Sequence, residues 1–344
     1  MISVALFNNK GGVGKTTLTY HLAYMLQRLG HRVLAVDLDP QSNLTAAFLD
    51  EDELSEVWQE GLQSDWPLLD GQQKLLLRAD SASGTVASAV EPIMRGLGDV
   101  RFADPVTISD GLWLVPGDLN LSAFEDKLSA AWPNSLIGDH AALRTTTAFY
   151  RLIIDAGSRV NADIALLDVG PNLGAINRAA LLAADTVLMP LAADLFSLRG
   201  LRNLGPALRD WRRIWQTNVL QHVPSDIPAP PGSMTPLGYV VMQPKMRLDR
   251  PVKAYQRWLD RVPIVFANSV LEHAPGDGKS YEIATLRNYQ SLMPLAHDAR
   301  KPMFDLRSAD GALGSTQTLV QRCYQDFKSL SEKLLQRLDD LRTE

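Results

Sequence analysis

Eight consecutive residues near the start of the chain, Lys10-Gly11-Gly12-Val13-Gly14-Lys15-Thr16-Thr17, combine three glycines, two lysines and two hydroxyl side chains. Glycine lets the backbone N–H groups of such a turn point inward around phosphate oxygens, and a helix that begins there adds the positive end of its dipole. In that geometry Lys15 reaches the β- and γ-phosphates of a nucleotide, and the Thr16 hydroxyl ligates Mg²⁺. Position 9, five residues before Gly14, is Asn where the ordinary phosphate-loop pattern has glycine. The chemistry therefore rests on the context of the turn.

That context is a strand before the loop and a helix after it. Ile2-Ser3-Val4-Ala5-Leu6-Phe7 is a short apolar run closed by Asn8 and Asn9, the pattern of a buried strand. From Thr16 to Leu29, residues Leu18, Leu22, Met25, Leu26 and Leu29 recur at three and four, and Gly30 stands at the C-terminal cap position. Arg32 to Asp37 reads as a second strand, stopped by Pro40. Strand, turn, helix and strand within forty residues form a βαβ unit, which calls for a parallel sheet covered by helices.

Further strands are expected at 112–116, 162–168, 186–190, 237–242 and 262–267, alternating with helices, and no internal repeat is present. Between Asp50 and Gln73 eight acids occur with no Lys or Arg, which reads as an exposed, partly helical excursion. From about Thr316, Leu319, Cys323, Phe327, Leu330, Leu334, Leu338 and Leu341 step by three and four along one long helix. That stripe suits packing on the chain's own sheet or pairing with a second chain. A membrane-surface helix fits less well, because the opposite face mixes both signs of charge.

Composition narrows the class. Of the 344 residues, 46% are apolar and 21% charged, which excludes a disordered or fibrous chain. A net charge of −5 excludes a wholly basic surface, leaving only a local basic patch for nucleic acid. The lone cysteine, Cys323, excludes a disulfide framework, a Cys-rich zinc site and an iron–sulfur cluster, and matches a reducing cytoplasm. Met1 to Phe7 lacks the basic flank of a signal peptide, and no apolar stretch reaches membrane-spanning length, so a cytoplasmic location is expected, at the nucleoid if the chain binds DNA.

Lys10 to Thr17 resembles the deviant Walker A motif of the ParA/MinD family of ATPases, which fixes an extra lysine in place of the first glycine. Val36-Asp37-Leu38-Asp39-Pro40-Gln41-Ser42-Asn43 is similar to that family's switch I, and Leu166-Leu167-Asp168-Val169-Gly170-Pro171 to its Walker B and switch II. Ser291 to Ala296, with Arg300-Lys301-Pro302, resembles the C-terminal part of ParA-type (Soj-like) partition proteins. The resemblance omits the acidic stretch and the segment around 133–160, which is longer than the family pattern.

The resemblance implies a doubly wound α/β P-loop NTPase of the SIMIBI type with a mostly parallel sheet. Residues 1–344 would form one domain, with an acidic insertion at about 50–110 and a C-terminal helix at about 316–342. ATP and Mg²⁺ are the implied ligands. Lys10, Gly11, Gly12, Val13, Gly14, Lys15, Thr16 and Thr17 would hold the nucleotide, with Met242, Gln243 and Asn288 toward adenine. Lys10, as the signature lysine, would reach the nucleotide of the other subunit in an ATP-sandwiched homodimer. Asp39 would orient or deprotonate the attacking water, and Thr16, Asp39 and Asp168 would serve the metal. As bland readings, Asp39 is a turn acid before Pro40 and Asp168 a helix N-cap.

Nonspecific DNA binding in the ATP state is also implied, with a ParB-like or other activating protein. Arg199, Arg202, Arg209 and Arg213 fall on one helical arc, Arg287 lies farther on, and Lys245, Arg247, Arg250, Lys253 and Arg257 make a second cluster. The expected function is thus a ParA-like partition or positioning ATPase. The rival is an ATP-driven switch that recruits a protein complex, as in a defence operon, without touching DNA. A MinD-like membrane cycler would need a basic amphipathic tail, and an electron-transfer relative would need cysteines.

Overall fold

The computed structural model describes residues 1–58, 84–242, 246–247, 250–251, 253–271, 280–289 and 291–343. The strands are β1 (Ile2–Leu6), β2 (Val33–Asp37), β3 (Val106–Ser109), β4 (Leu112–Val115), β5 (Ile164–Asp168), β6 (Thr186–Ala192), β7 (Thr235–Met242), β8 (Met246–Arg247), β9 (Arg250–Pro251) and β10 (Glu282–Leu286), with apolar runs building β1, β2 and β4 to β7. Eight of them form one sheet in the order β10-β7-β6-β1-β5-β2-β4-β3, and β8 pairs with β9 in a separate ribbon. Every neighbouring pair in the large sheet is parallel except β3 with β4.

The helices are α1 (Lys15–Arg28), α2 (Asn43–Phe48), α3 (Glu51–Trp58), α4 (Val86–Arg95), α5 (Phe124–Ser135), α6 (His140–Thr146), α7 (Ala148–Arg159), α8 (Ala175–Ala183), α9 (Leu195–Ile214), α10 (Lys253–Leu259), α11 (Val262–Phe266), α12 (Met293–Ala299) and α13 (Ser315–Thr343). They cover both faces of the sheet. Alternation along β1 divides its side chains: Ala5 and Phe7 join the core under α4, α5, α7, α8 and α9, while Val4 and Leu6 join the core under α1 and α13. The α13 stripe is consumed there, since Cys323, Phe327, Leu330, Leu334 and Leu338 are all buried against the chain's own sheet and α1. Among the described residues no helix is long and apolar enough to cross a membrane.

The segment 262–267, expected as a strand, is instead α11 running into a π-helical turn, Ala267–Leu271. Val262, Val265 and Phe266 are its buried residues, a spacing of three and four, and Pro263 lies in the first turn, where its missing N–H costs nothing. A short apolar run does not distinguish strand from helix by itself. The acidic run is partly helix-start chemistry: Asp50 N–H donates to Glu53 at 2.7 Å and Glu53 N–H to Asp50 at 2.9 Å, with Glu51, Asp52 and Glu53 in the first turn of α3. Farther on, α4 buries Val86, Val90 and Ile93 in the core.

Helix α9 runs unbroken through Pro206. Gly205 lets it approach the π turn closely, because a Cβ there would lie 1.8 Å from the Ser269 carbonyl oxygen.

Candidate functional site

The C-terminal ends of β1, β5 and β2 lie side by side, with Leu6 paired to Asp168 and Asp168 to Asp37. Ligands of open α/β sheets bind beyond these ends. The turn from β1 into α1 opens there, with Gly12 at φ 71° and Gly14 at φ 90°, a left-handed backbone that favours glycine. Asn8 anchors the turn: its Nδ2 donates to the Pro190 carbonyl at 2.7 Å, and its Oδ1 accepts Lys10 N–H at 3.1 Å.

The two lysines stand in different surroundings. Lys15 is buried, and burial pushes its ammonium below the usual lysine range against the opposing pull of Asp168 and Asp39. Lys10 is about one-third exposed, is ion-paired with Asp194, and lies 5.9 Å from the ring centroid of Phe196, itself 68% exposed.

Beside the turn sits a group of carboxylates. Thr16 Oγ1 donates to Asp168 Oδ2 at 2.7 Å. Burial pushes the Asp168 carboxyl up to about 6, against the Thr16 hydrogen bond and the charge of Lys15. Asp37 is fully buried and accepts both the N–H and the hydroxyl of Thr45 at 2.8 Å. Burial, then the charge of Asp168, push it up to about 8. Asp39 Oδ1 accepts Gln41 N–H at 3.0 Å, and Asp39 lies at the wall of the cleft described below.

The loop after Asp168 is tied down from two directions. Asn177 Nδ2, on α8, donates to Gly170 O at 3.0 Å and to both Asn172 O and Asn172 Oδ1 at 2.8 Å. Glu125, on α5, accepts the N–H groups of Ala175 at 2.6 Å and Ile176 at 2.9 Å, capping α8 with a charge from another helix.

A cleft of about 520 Å³ extends from the turn, lined among others by Lys15, Thr16, Thr17, Tyr20, Asp39, Pro171, Met293, Arg300 and Lys301. Its far wall is held in place by a buried histidine. His21 Nδ1 donates to the Thr17 carbonyl at 2.7 Å, and its Nε2 accepts Met303 N–H at 3.0 Å, which fixes one neutral tautomer. Burial pushes His21 down to about 4. Arg300 joins the wall to the end of α2 by donating to the Leu49 carbonyl at 2.8 Å.

The structure thus brings Lys10 to Thr17, Asp39 and Asp168 to one end of the sheet. Met242 is buried in the core, and neither it nor Asn288 lines the cleft. Gln243 and Lys245 lie outside the described residues, as do the side chains of Arg247, Arg250 and Lys253. Arg199, Arg202 and Arg213 are exposed on α9, whereas Arg209 donates to the Ser269 carbonyl and Arg287 lies 3.4 Å from Asp326. Asp37, Asp194, Glu125 and Asn177 carry parts of the arrangement that sequence reading assigned to no role. Only Asp37 had a visible signal, as the first acid of Asp37-Leu38-Asp39.

Fold and loop together define a P-loop NTPase of the deviant Walker A type. Residues 1–219 match the AAA domain family AAA_31, and the chain belongs to the ParA/MinD family. It is 31% identical over 209 residues to the chromosome-partitioning ATPase Soj of Thermus thermophilus, covering 61% of this chain and 62% of that protein. It is 31% identical over 242 residues to a Rhizobium rhizogenes protein named "Putative replication protein A", covering 65% of this chain; the chain spans about half of that protein's length, 51%. The crystal structure of protein DIP2308 from Corynebacterium diphtheriae superposes with a TM-score of 0.70 at 23% identity, over 98% of this chain and 99% of that one, a likeness of fold.

The family implies a nucleotide with Mg²⁺, and the residues fit them. Two buried carboxylates held above the usual carboxylate range are relieved by a nearby cation, and Thr16 offers a hydroxyl beside them. Among the described residues no cluster of three or more His, Cys, Asp or Glu could hold an ion by itself.

Proposed function

We propose that the chain is an ATP-dependent dimerising switch: it binds and hydrolyses Mg-ATP, closes as a homodimer around two nucleotides, and binds DNA without sequence preference in that state. The observation that carries the reading is the convergence of buried Lys15, Thr16, Asp39 and Asp168 at the N-terminus of α1. Lys15 supplies positive charge to the β- and γ-phosphates, and the loop N–H groups hold their oxygens. Thr16, with Asp168 and Asp39, would hold Mg²⁺, which would supply positive charge against the charge developing on those phosphates. Asp39 takes a proton from water as the water oxygen bonds to the γ-phosphorus and the bond to the β,γ-bridging oxygen breaks, leaving ADP and phosphate. Lys10 acts across the dimer on the partner's nucleotide.

The exposed arginines of α9 support DNA binding, and a second, activating protein of the ParB kind would trigger hydrolysis and release. The test is static light scattering with ATP: the wild type dimerises, and Lys15→Ala stays monomeric. A Lys15→Ala variant that dimerises like wild type removes the nucleotide assignment. If the wild type dimerises but is not retained on random duplex DNA at ~50 mM salt, recruitment of a protein complex replaces DNA binding as the reading.

A further inference from the structure

Arg212, near the C-terminal end of α9, carries a positive charge that no acid balances. Its Nη2 donates to the Met234 carbonyl at 2.7 Å, its Nε is buried without an acceptor, and it makes no ion pair among the described residues. Its charged neighbour has the same sign: burial, and then Arg209, push the Arg212 guanidinium below the usual arginine range. A desolvated cation is costly until an anion joins it. The surroundings leave room for one. Arg212 lines a cavity of about 230 Å³ together with Thr235 at the start of β7, Leu271 in the π turn, Tyr281, and Arg337 and Asp340 on α13. This is the opposite end of the sheet from the turn between β1 and α1, since Thr235 pairs with Thr186, the first residue of β6.

Arg337 reaches this cavity from a second element. It donates to the Ser280 carbonyl, lies 5.5 Å from the ring centroid of Tyr281, and makes no ion pair among the described residues. A guanidinium has five N–H donors, so one carbonyl anchors each group and leaves donors over. Asp340 accepts Gln336 Nε2 at 3.0 Å and is the one acid among the described residues of the lining, against two guanidinium groups. Paired N–H donors of this kind match phosphate oxygens, and a tetrahedral anion takes them from two directions. We infer that Arg212 and Arg337 form a phosphate-binding site at this end of the sheet, separate from Lys10 to Thr17 and independent of the ATPase reading. Phosphate held there joins the end of α9 to the end of α13 and offsets the charge that burial leaves unpaired.

The test follows thermal unfolding in ~20 mM inorganic phosphate against chloride of matched ionic strength. It is made on the Lys15→Ala background, which disables the turn between β1 and α1 as a competing phosphate site. Phosphate should raise the unfolding temperature beyond chloride, and adding Arg212→Gln or Arg337→Gln should each raise the phosphate needed for the same shift about tenfold or more. A crystal of the wild type soaked in inorganic phosphate needs no variant to fold: it should show the ion ~3 Å from a guanidinium nitrogen of both Arg212 and Arg337. Random duplex DNA that displaces this phosphate makes the cavity a seat for a backbone phosphate; DNA that leaves the shift unchanged makes it a seat for free phosphate or a monoester. No shift beyond chloride, an equal shift in both arginine variants, or a soaked ion that touches only one of the arginines overturns the inference and leaves the ATPase reading intact. Dimerisation of Lys15→Ala with ATP would remove the nucleotide assignment and leave this site standing.

Discussion

The ammonium of Lys10 is paired with the carboxylate of Asp194, and the same carboxylate caps α9 by accepting Ser197 N–H at 2.8 Å. Burial of Asp194 is outweighed by the Lys10 and Ser197 hydrogen bonds, which hold its carboxyl below the usual range. Lys10 therefore has an acidic partner within its own chain, and nucleotide phosphates must compete for it. Asp194→Asn keeps an oxygen for Ser197 and removes the competing charge. A pair about one-third exposed is worth roughly 0.5 kcal/mol after solvent screening, so half-maximal dimerisation should need about two- to threefold less ATP. Titration by light scattering checks this; an unchanged or higher ATP requirement excludes the competition.

Asp39→Ala should bind Mg-ATP, close and remain closed, because loss of a positioned base typically costs 10²–10⁴ in rate, about 3–5 kcal/mol. Lys10→Ala should bind ATP as a monomer and hydrolyse little. The expected pair is a trapped dimer beside a nucleotide-bound monomer, read by size-exclusion chromatography with nucleotide quantification. Two variants that both dimerise and turn over like wild type would remove both roles.

Reversing Arg199, Arg202 and Arg213 to Glu should abolish ATP-dependent retention on random duplex DNA and leave basal ATPase activity unchanged. Single reversals should each lower the slope of log affinity against log salt by about 0.9. All three side chains are exposed on α9, so folding should be unaffected. Retention that survives the triple reversal places any DNA contact elsewhere.

Acid should destabilise the chain through His21. Burial holds it at about 4 in the folded chain, below the ordinary imidazole value of 6.5, so the unfolded chain binds the extra proton as pH falls through that window. Stability is complete above about pH 6.5 and lost toward pH 4, by about 2 kcal/mol between pH 7 and 5. Urea denaturation of wild type and His21→Gln at both pH values isolates this contribution, since the other titrating groups are common to both. An equal pH dependence in the two proteins would falsify it.

The turn of the candidate site was legible because its residues are contiguous: Lys10 to Thr17 specify a turn, and the apolar periods on either side specify the strand before it and the helix after it. The carboxylates at 39 and 168 were legible as acids closing apolar runs. Asp194, Glu125 and Asn177 were not, since each acts on a group brought to it only by folding: Glu125 reaches Ala175 across 50 residues and Asp194 reaches Lys10 across 184. The strand β10 and the helix α11 show the same limit. Glu282 to Leu286 is too short and too mixed to stand out, and the apolar run from Val262 fits two periods equally well.

The close crossing at Gly205 sets a tolerance on the whole basic face. With a hydrogen in place of a side chain, α9 rests directly on the backbone of the Ser269 turn, and one added carbon would have to force the two apart. Arg202 and Arg213 lie on either side of that contact, while the first turn of α9 carries Asp194 and Phe196 beside Lys10. The spacing between the candidate-site end of α9 and its exposed arginines is thus gauged by one of the two glycines in the helix. An alanine at 205 would act as a shim, tilting the arginines relative to Lys10 without altering a single charge.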